Sequence, residues 1–141
     1  AEALFEPGPL GLRDLMLDIG VESRLSYDAG SNTVFMNFAG MHIRTQEEID
    51  RIISAVDALL APLAKRVNAV INYDRFVVDD SRLTAYADAV RYVETSYYLQ
   101  VARYTTSGFL RLKLGKEFSQ RDITPEVFGT ATDAADHLGI D

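Results

Sequence analysis

Residues 45–73 read TQEEIDRIISAVDALLAPLAKRVNAVINY, and this stretch decides the fold. Thr45-Gln46-Glu47-Glu48 is a capping box: the Thr45 hydroxyl faces the backbone of residue 48, and the Glu48 carboxylate reaches back to the cap. Ile49, Ile52, Ile53, Val56, Leu59, Leu60 and Leu63 follow at gaps of three, one, three, three, one and three, the stripe of an amphipathic helix. Pro62 should kink or end it, and Lys65 and Arg66 suit the carbonyl end of its dipole. Val67 to Tyr73 then reads as a buried strand. A helix feeding an apolar strand is the building unit of an α/β sheet.

Working outward, the same grammar repeats. Upstream, Ser23–Asp28 and Thr33–Ile43 are β-prone runs flanking the turn Asp28-Ala29-Gly30-Ser31-Asn32, which predicts a hairpin. Gly40 is expected to mark a bulge in the second run. Downstream, a loop carries Asp74, Asp79 and Asp80, and Ser81 reads as an N-cap. The helix behind it shows Leu83, Tyr86, Ala87, Val90, Val93 and Tyr97 on one face. Leu99–Thr105 is another strand, and Thr106 or Ser107 caps a third helix with Phe109, Leu110, Leu112, Leu114 and Phe118. Pro125 confines a strand over 123–128 to a sheet edge. Thr130 caps a last helix, with Gly139 as its C′ residue. The order β-β-α-β-α-β-α-(β)-α predicts an α/β fold, a mixed four- to five-stranded sheet with helices packed against it. Residues 23–141 form that one domain. Residues 1–22, with Pro7, Gly8, Pro9 and Gly11, read as an arm or linker carrying a short helix over 12–18.

Composition narrows the function classes. The 141 residues suit one core. Net charge is −7, from 21 acidic and 14 basic residues, which argues against a nucleic-acid surface and against anionic membranes. There is no cysteine, so disulfides and thiolate metal sites are excluded. No apolar run approaches the ~20 residues of a membrane span, and no secretion signal opens the chain, so a cytoplasmic location is expected. The chain begins with Ala1 rather than Met, as expected of a piece of a larger protein.

The candidate chemistry is sparse. His42 and His137 are the two histidines, neither placed beside a serine, and no metal-binding histidine spacing occurs. Asp74, Asp79 and Asp80 form either a divalent-cation loop or ordinary helix-start carboxylates, and the second reading is preferred. Arg103-Tyr104-Thr105-Thr106-Ser107-Gly108-Phe109-Leu110-Arg111 leaves a strand and opens a helix. Backbone N–H groups at Thr105, Thr106, Ser107 and Gly108 would hold a phosphate or carboxylate there, with Arg103, Arg111 or Lys113 adding charge. Plain capping explains the same residues. Tyr86, Tyr92, Tyr97, Tyr98 and Tyr104 read as core filler or as a homodimer surface.

Several motifs together resemble a known family: Phe5-Glu6-Pro7 with Gly11-Leu12, Leu25-Ser26-Tyr27, Phe38-Ala39-Gly40-Met41-His42-Ile43-Arg44-Thr45, Val70-Ile71-Asn72-Tyr73-Asp74 and the Arg103–Leu112 segment. The set is similar to the carboxy-terminal extension of bacterial acyl-CoA:carboxylate CoA-transferases of the propionate CoA-transferase type. Such enzymes work through a glutamate that forms a thioester with CoA and is closely followed by glycine. None of the eight glutamates here has that context. The resemblance therefore implies a non-catalytic accessory domain for assembly, stability or ligand sensing. It would have no catalytic residues or cofactor of its own, its partner would be the catalytic part of a parent enzyme, and CoA would bind that parent. The topology also resembles the STAS domain, where a strand ends in Asp-Ser-Ser-Gly-Leu and the second serine is a phosphorylation switch. Val78-Asp79-Asp80-Ser81-Arg82-Leu83 falls on that stretch, with Ser81 on the switch position, Asp80 for the first serine and Arg82 for the glycine.

Overall fold

The computed structural model describes residues 20–139 and shows a mixed α/β fold. The elements are β1 (Leu25–Asp28), β2 (Thr33–Asn37), β3 (His42–Ile43), α1 (Gln46–Leu60), β4 (Val67–Asn72), β5 (Val77–Val78), α2 (Leu83–Tyr97), β6 (Tyr98–Tyr104), α3 (Gly108–Ser119), β7 (Val127–Phe128) and α4 (Ala131–Leu138). Five strands form one sheet in the order β1-β2-β4-β6-β7, with β3 and β5 in a separate parallel pair. The β1–β2 hairpin is antiparallel, and β2–β4, β4–β6 and β6–β7 are parallel.

Each crossover from β2 onward steps one place in the same direction, so right-handed connections put α1, α2 and α3 on one face. Ile49, Ile52, Val56 and Leu60 of α1, Tyr86, Ala89 and Val93 of α2, and Leu110, Leu114 and Phe118 of α3 pack there against Val34, Met36, Ala69, Ile71 and Val101. α4 crosses behind, and Ala134 and Leu138 bury Val70 and Ala102 on the second face. The expected arm over 1–22 and its helix over 12–18 fall almost wholly outside the described residues. Residues 20–22 are helical, and Val21 packs on the main core.

Four local expectations are corrected. The run Thr33–Ile43 is two strands, because the chain turns at Gly40. That residue sits at φ +77°, in the left-handed region glycine adopts without strain, and Met41 N donates to Phe38 O at 3.1 Å. Gly40 thus marks a turn rather than a bulge. The bulge lies between β4 and β6, where Val67 faces Tyr98 but Asn68 faces Gln100, leaving Leu99 unpaired and 60% exposed. Arg66 serves a different helix from the one expected: its guanidinium donates to Thr95 O at 2.9 Å and Tyr98 O at 3.1 Å, at the carbonyl end of α2. Ser81 is not an N-cap, since it lies inside a single 3-10 turn, Asp80–Arg82, and α2 begins at Leu83.

The capping predictions hold elsewhere. Thr45 and Glu48 form both halves of the capping box. Ser107, of the two residues proposed, caps α3 by accepting from Leu110 N, and Thr130 caps α4 by accepting from Asp133 N. β7 lies at the sheet edge. No helix among the described residues is long and apolar enough to cross a membrane.

Candidate functional site

A one-directional strand order gives no point where the order reverses, and open α/β sheets bind ligands at such points. The polar residues beyond the carboxyl ends of β4 and β6 are the place to look. Here the structure brings Thr105, Thr106, Ser107, Gly108 and Arg111 together, and it adds Asp74. Asp74 Oδ1 accepts from Thr106 N at 2.7 Å and from Thr106 Oγ1 at 3.1 Å. Ser107 N donates to Thr105 Oγ1 at 3.2 Å, and Leu110 N donates to Ser107 Oγ at 3.1 Å. Arg111 Nη1 donates to Thr105 O at 2.8 Å, and a Cβ at Gly108 would stand 3.6 Å from Arg111 Nη2. The Thr106 N–H is the main reason the Asp74 carboxyl lies below the ordinary carboxylate range. Partial burial opposes it, and the Thr106 and Thr105 hydroxyls and Arg75 add to it. The amide expected to hold an outside phosphate thus holds the chain's own carboxylate.

Arg103 does not join this loop. It is wholly buried on the face beneath α1 and α2. Nη2 lies 3.0 Å from Glu94 Oε1, Nη1 donates to Thr124 O at 2.8 Å, and the guanidinium carbon sits 4.8 Å from the Phe118 ring centroid. Glu94 Oε2 accepts from both Thr124 N and Thr124 Oγ1 at 3.0 Å. Burial opposes the charge on Arg103, but the neighbouring Tyr73 and Glu94 outweigh it and its pKa lies above the ordinary value. Beside it the Tyr73 and Tyr86 hydroxyls lie 2.8 Å apart, and burial pushes both phenols up. Tyr98 is buried too and donates to Met36 Sδ at 3.4 Å. Tyr92 and Tyr97 both donate to Asp57, joining α2 to α1.

Ser81 is exposed, in a turn flanked by engaged carboxylates. His42 Nε2 and Asp79 Oδ1 lie 2.6 Å apart, linking β3 to the residue after β5. Lys113 Nζ of α3 lies 2.8 Å from Asp80 Oδ1. Asp74, Asp79 and Asp80 therefore face three different partners, and no group of three or more potential ligands gathers among the described residues. His137 sits on α4 with its ring 5.0 Å from that of Phe128.

Sequence reasoning missed Asp74 as an internal acceptor and Glu94 as the partner of Arg103. A signal existed for the second: alternation along β6 puts Arg103 on the same face as Val101. Glu94, four residues after Val90, lies beside the apolar stripe of α2. Comparison with protein-family models, curated proteins and solved structures returns no match to the chain.

Proposed function

We propose that the chain is a non-catalytic accessory domain, the carboxy-terminal extension of a bacterial acyl-CoA:carboxylate CoA-transferase, serving assembly and stability of the parent enzyme. The structural observation that supports it is on α3. Leu110, Leu114 and Phe118 are buried, yet Phe109 is 76% and Leu112 78% exposed one turn apart. A helix apolar on both sides suits a position between its own core and a second protein surface. In this reading that surface is the catalytic part of the parent, which carries the glutamate and binds CoA. The sequence resemblance names the parent.

The experiment is the mass of the native gene product in source cells, by immunoblot or intact mass spectrometry. A product several times larger than 15.7 kDa supports the reading. A product near that mass overturns it, as does CoA transfer by the 141-residue chain alone.

The exposure of Ser81 favours a second reading, a free-standing STAS-like binding module switched by phosphorylation there. A phosphate on Ser81 would meet Asp79 and Asp80 as like charges. Incubation with candidate kinases that leaves Ser81 unmodified removes this reading.

A further inference from the structure

We propose that the crevice between α1 and α2 takes the end of a short, unbranched aliphatic chain carried on an uncharged head. The crevice has two parts. An outer groove of about 320 Å³ runs between the helices, with Gln46, Ala85, Asp88 and Tyr92 along it. A narrow inner space of about 30 Å³ lies between the helices and the sheet, part open rather than sealed. Ile49, Ile53 and Ala89 line both, so the two adjoin.

The sequence explains the gap. α2 presents alanine at 85 and 89, where Ile49 and Ile53 of α1 come closest, and such small side chains leave the space between the helices unfilled. Nearer their carboxyl ends the helices are tied, since Tyr92 and Tyr97 of α2 both donate to Asp57 of α1. The gap therefore lies toward the amino ends, at Gln46 and Ala85.

The lining of the inner space is almost wholly apolar, with Met36, Ile52, Val56, Ile71 and Val93 on its wall. The polar side chains beside it are engaged elsewhere. The Tyr73 and Tyr86 hydroxyls lie 2.8 Å apart, and Tyr98 donates to Met36 Sδ. Thr124 and Glu94 hold the terminal nitrogens of Arg103, and its Nε is buried out of reach of solvent. Such a space offers water little, and apolar cavities stay dry and accept apolar guests. One water needs roughly 10–15 Å³ of such room, so about 30 Å³ seats the last one or two carbons of a chain and leaves the next ones in the groove. The groove sets the head. Asp88 lies 3.3 Å from Arg121, which Glu117 shares at 2.8 Å, and Gln46 donates to Asp50. The rim thus keeps a negative charge that a carboxylate head would meet as a like charge, whereas an alcohol, ester or thioester would not.

Two measurements on the unaltered chain and one on a variant test this. Titration with n-butanol, n-pentanol and n-hexanol is followed by amide NMR shifts. The shifts are expected to centre on Ile49, Ile53, Ala85 and Ala89, with the dissociation constant falling about fourfold per added methylene. Hexanoate is expected to bind more weakly than hexanol. Xenon pressurisation of crystals is expected to place xenon in the inner space. Ala89→Leu, which fills the junction of the two parts, is expected to abolish the shifts. Shifts centred on another face, such as the exposed Phe109 and Leu112 of α3, overturn the proposal. So do hexanoate binding as tightly as hexanol, an inner space without xenon, and unchanged binding by a folded Ala89→Leu chain. None of these outcomes bears on whether the chain belongs to a larger enzyme.

Discussion

Arg103 of β6 and Glu94 of α2 form an ion pair, Nη2 to Oε1 at 3.0 Å, in which the arginine side chain is wholly buried and the glutamate side chain is 17% exposed. Glu94 also holds Thr124 through both its N–H and its hydroxyl. One carboxylate thus joins the sheet, a helix and the segment leading to β7. Removing one partner of a buried pair strands the other charge, at a cost of about 3–5 kcal/mol. Glu94→Ala is expected to lower unfolding free energy by about 3 kcal/mol, measured by urea denaturation. In an Arg103→Met background the same change should cost much less. Equal losses in both backgrounds would show that the two residues do not couple.

Asp74 gives the chain a pH dependence of known sign. Its folded pKa is depressed, chiefly by the Thr106 N–H, so its contribution is present above the ordinary carboxylate value of about 3.9. The contribution is lost as pH falls through the lower folded value. Asp74→Ala should cost about 1–2 kcal/mol at pH 7, and its difference from the parent chain should shrink below about pH 4. Because Asp74 occupies the Thr106 donors, phosphate, CoA and dicarboxylates should leave the melting temperature unchanged. A ligand at a hundred times its Kd would add about 2.7 kcal/mol, so a rise in that panel would restore the anion site.

The two helix-start residues Thr45 and Ser81 should behave differently. Thr45→Ala removes a capping box and should cost about 1 kcal/mol. Ser81→Ala should stay within about 0.5 kcal/mol, since Ser81 is exposed inside a turn and caps nothing. A cap-sized loss at Ser81 in thermal or chemical melts would contradict that assignment.

The outer face of α3 separates folding from assembly. Phe109→Gln and Leu112→Gln should each change stability by no more than about 0.5 kcal/mol, as both side chains are more than three-quarters exposed. If the chain is the accessory domain proposed above, the same pair of substitutions in the whole enzyme should weaken its hold on the catalytic part, read by limited proteolysis. Unaltered proteolysis would leave α3 without a docking role.

The elements legible in the sequence are those whose signals are local. α1 carries its capping box and its apolar stripe within 20 residues, and the β1–β2 hairpin carries its turn between the strands. β3 was legible only as the end of the longer run Thr33–Ile43, and β5 was not legible. Each has two residues, and only the other, some 35 positions away, makes it a strand. The bonds of Asp74 to Thr106 and of Glu94 to Thr124 were hidden for the same reason: each partner lies about 30 residues further on, and no short-range spacing announces such a bond. Ser81 misled because a serine before an apolar stripe is a strong N-cap signal, and here a 3-10 turn intervenes.

The strand order has a consequence for how the molecule assembles during synthesis. Reading from β2, every new strand of the main sheet lies beside the one before it, β4 on β2, β6 on β4 and β7 on β6. A nascent chain leaving the ribosome therefore presents each strand to a template already in place, and no early strand waits at an open edge for a late one. The exception is α4, the last element described, which must return to cover Val70 and Ala102. Until its residues are made, that patch of the second face stays wet, and the docking of α4 is the event that covers it.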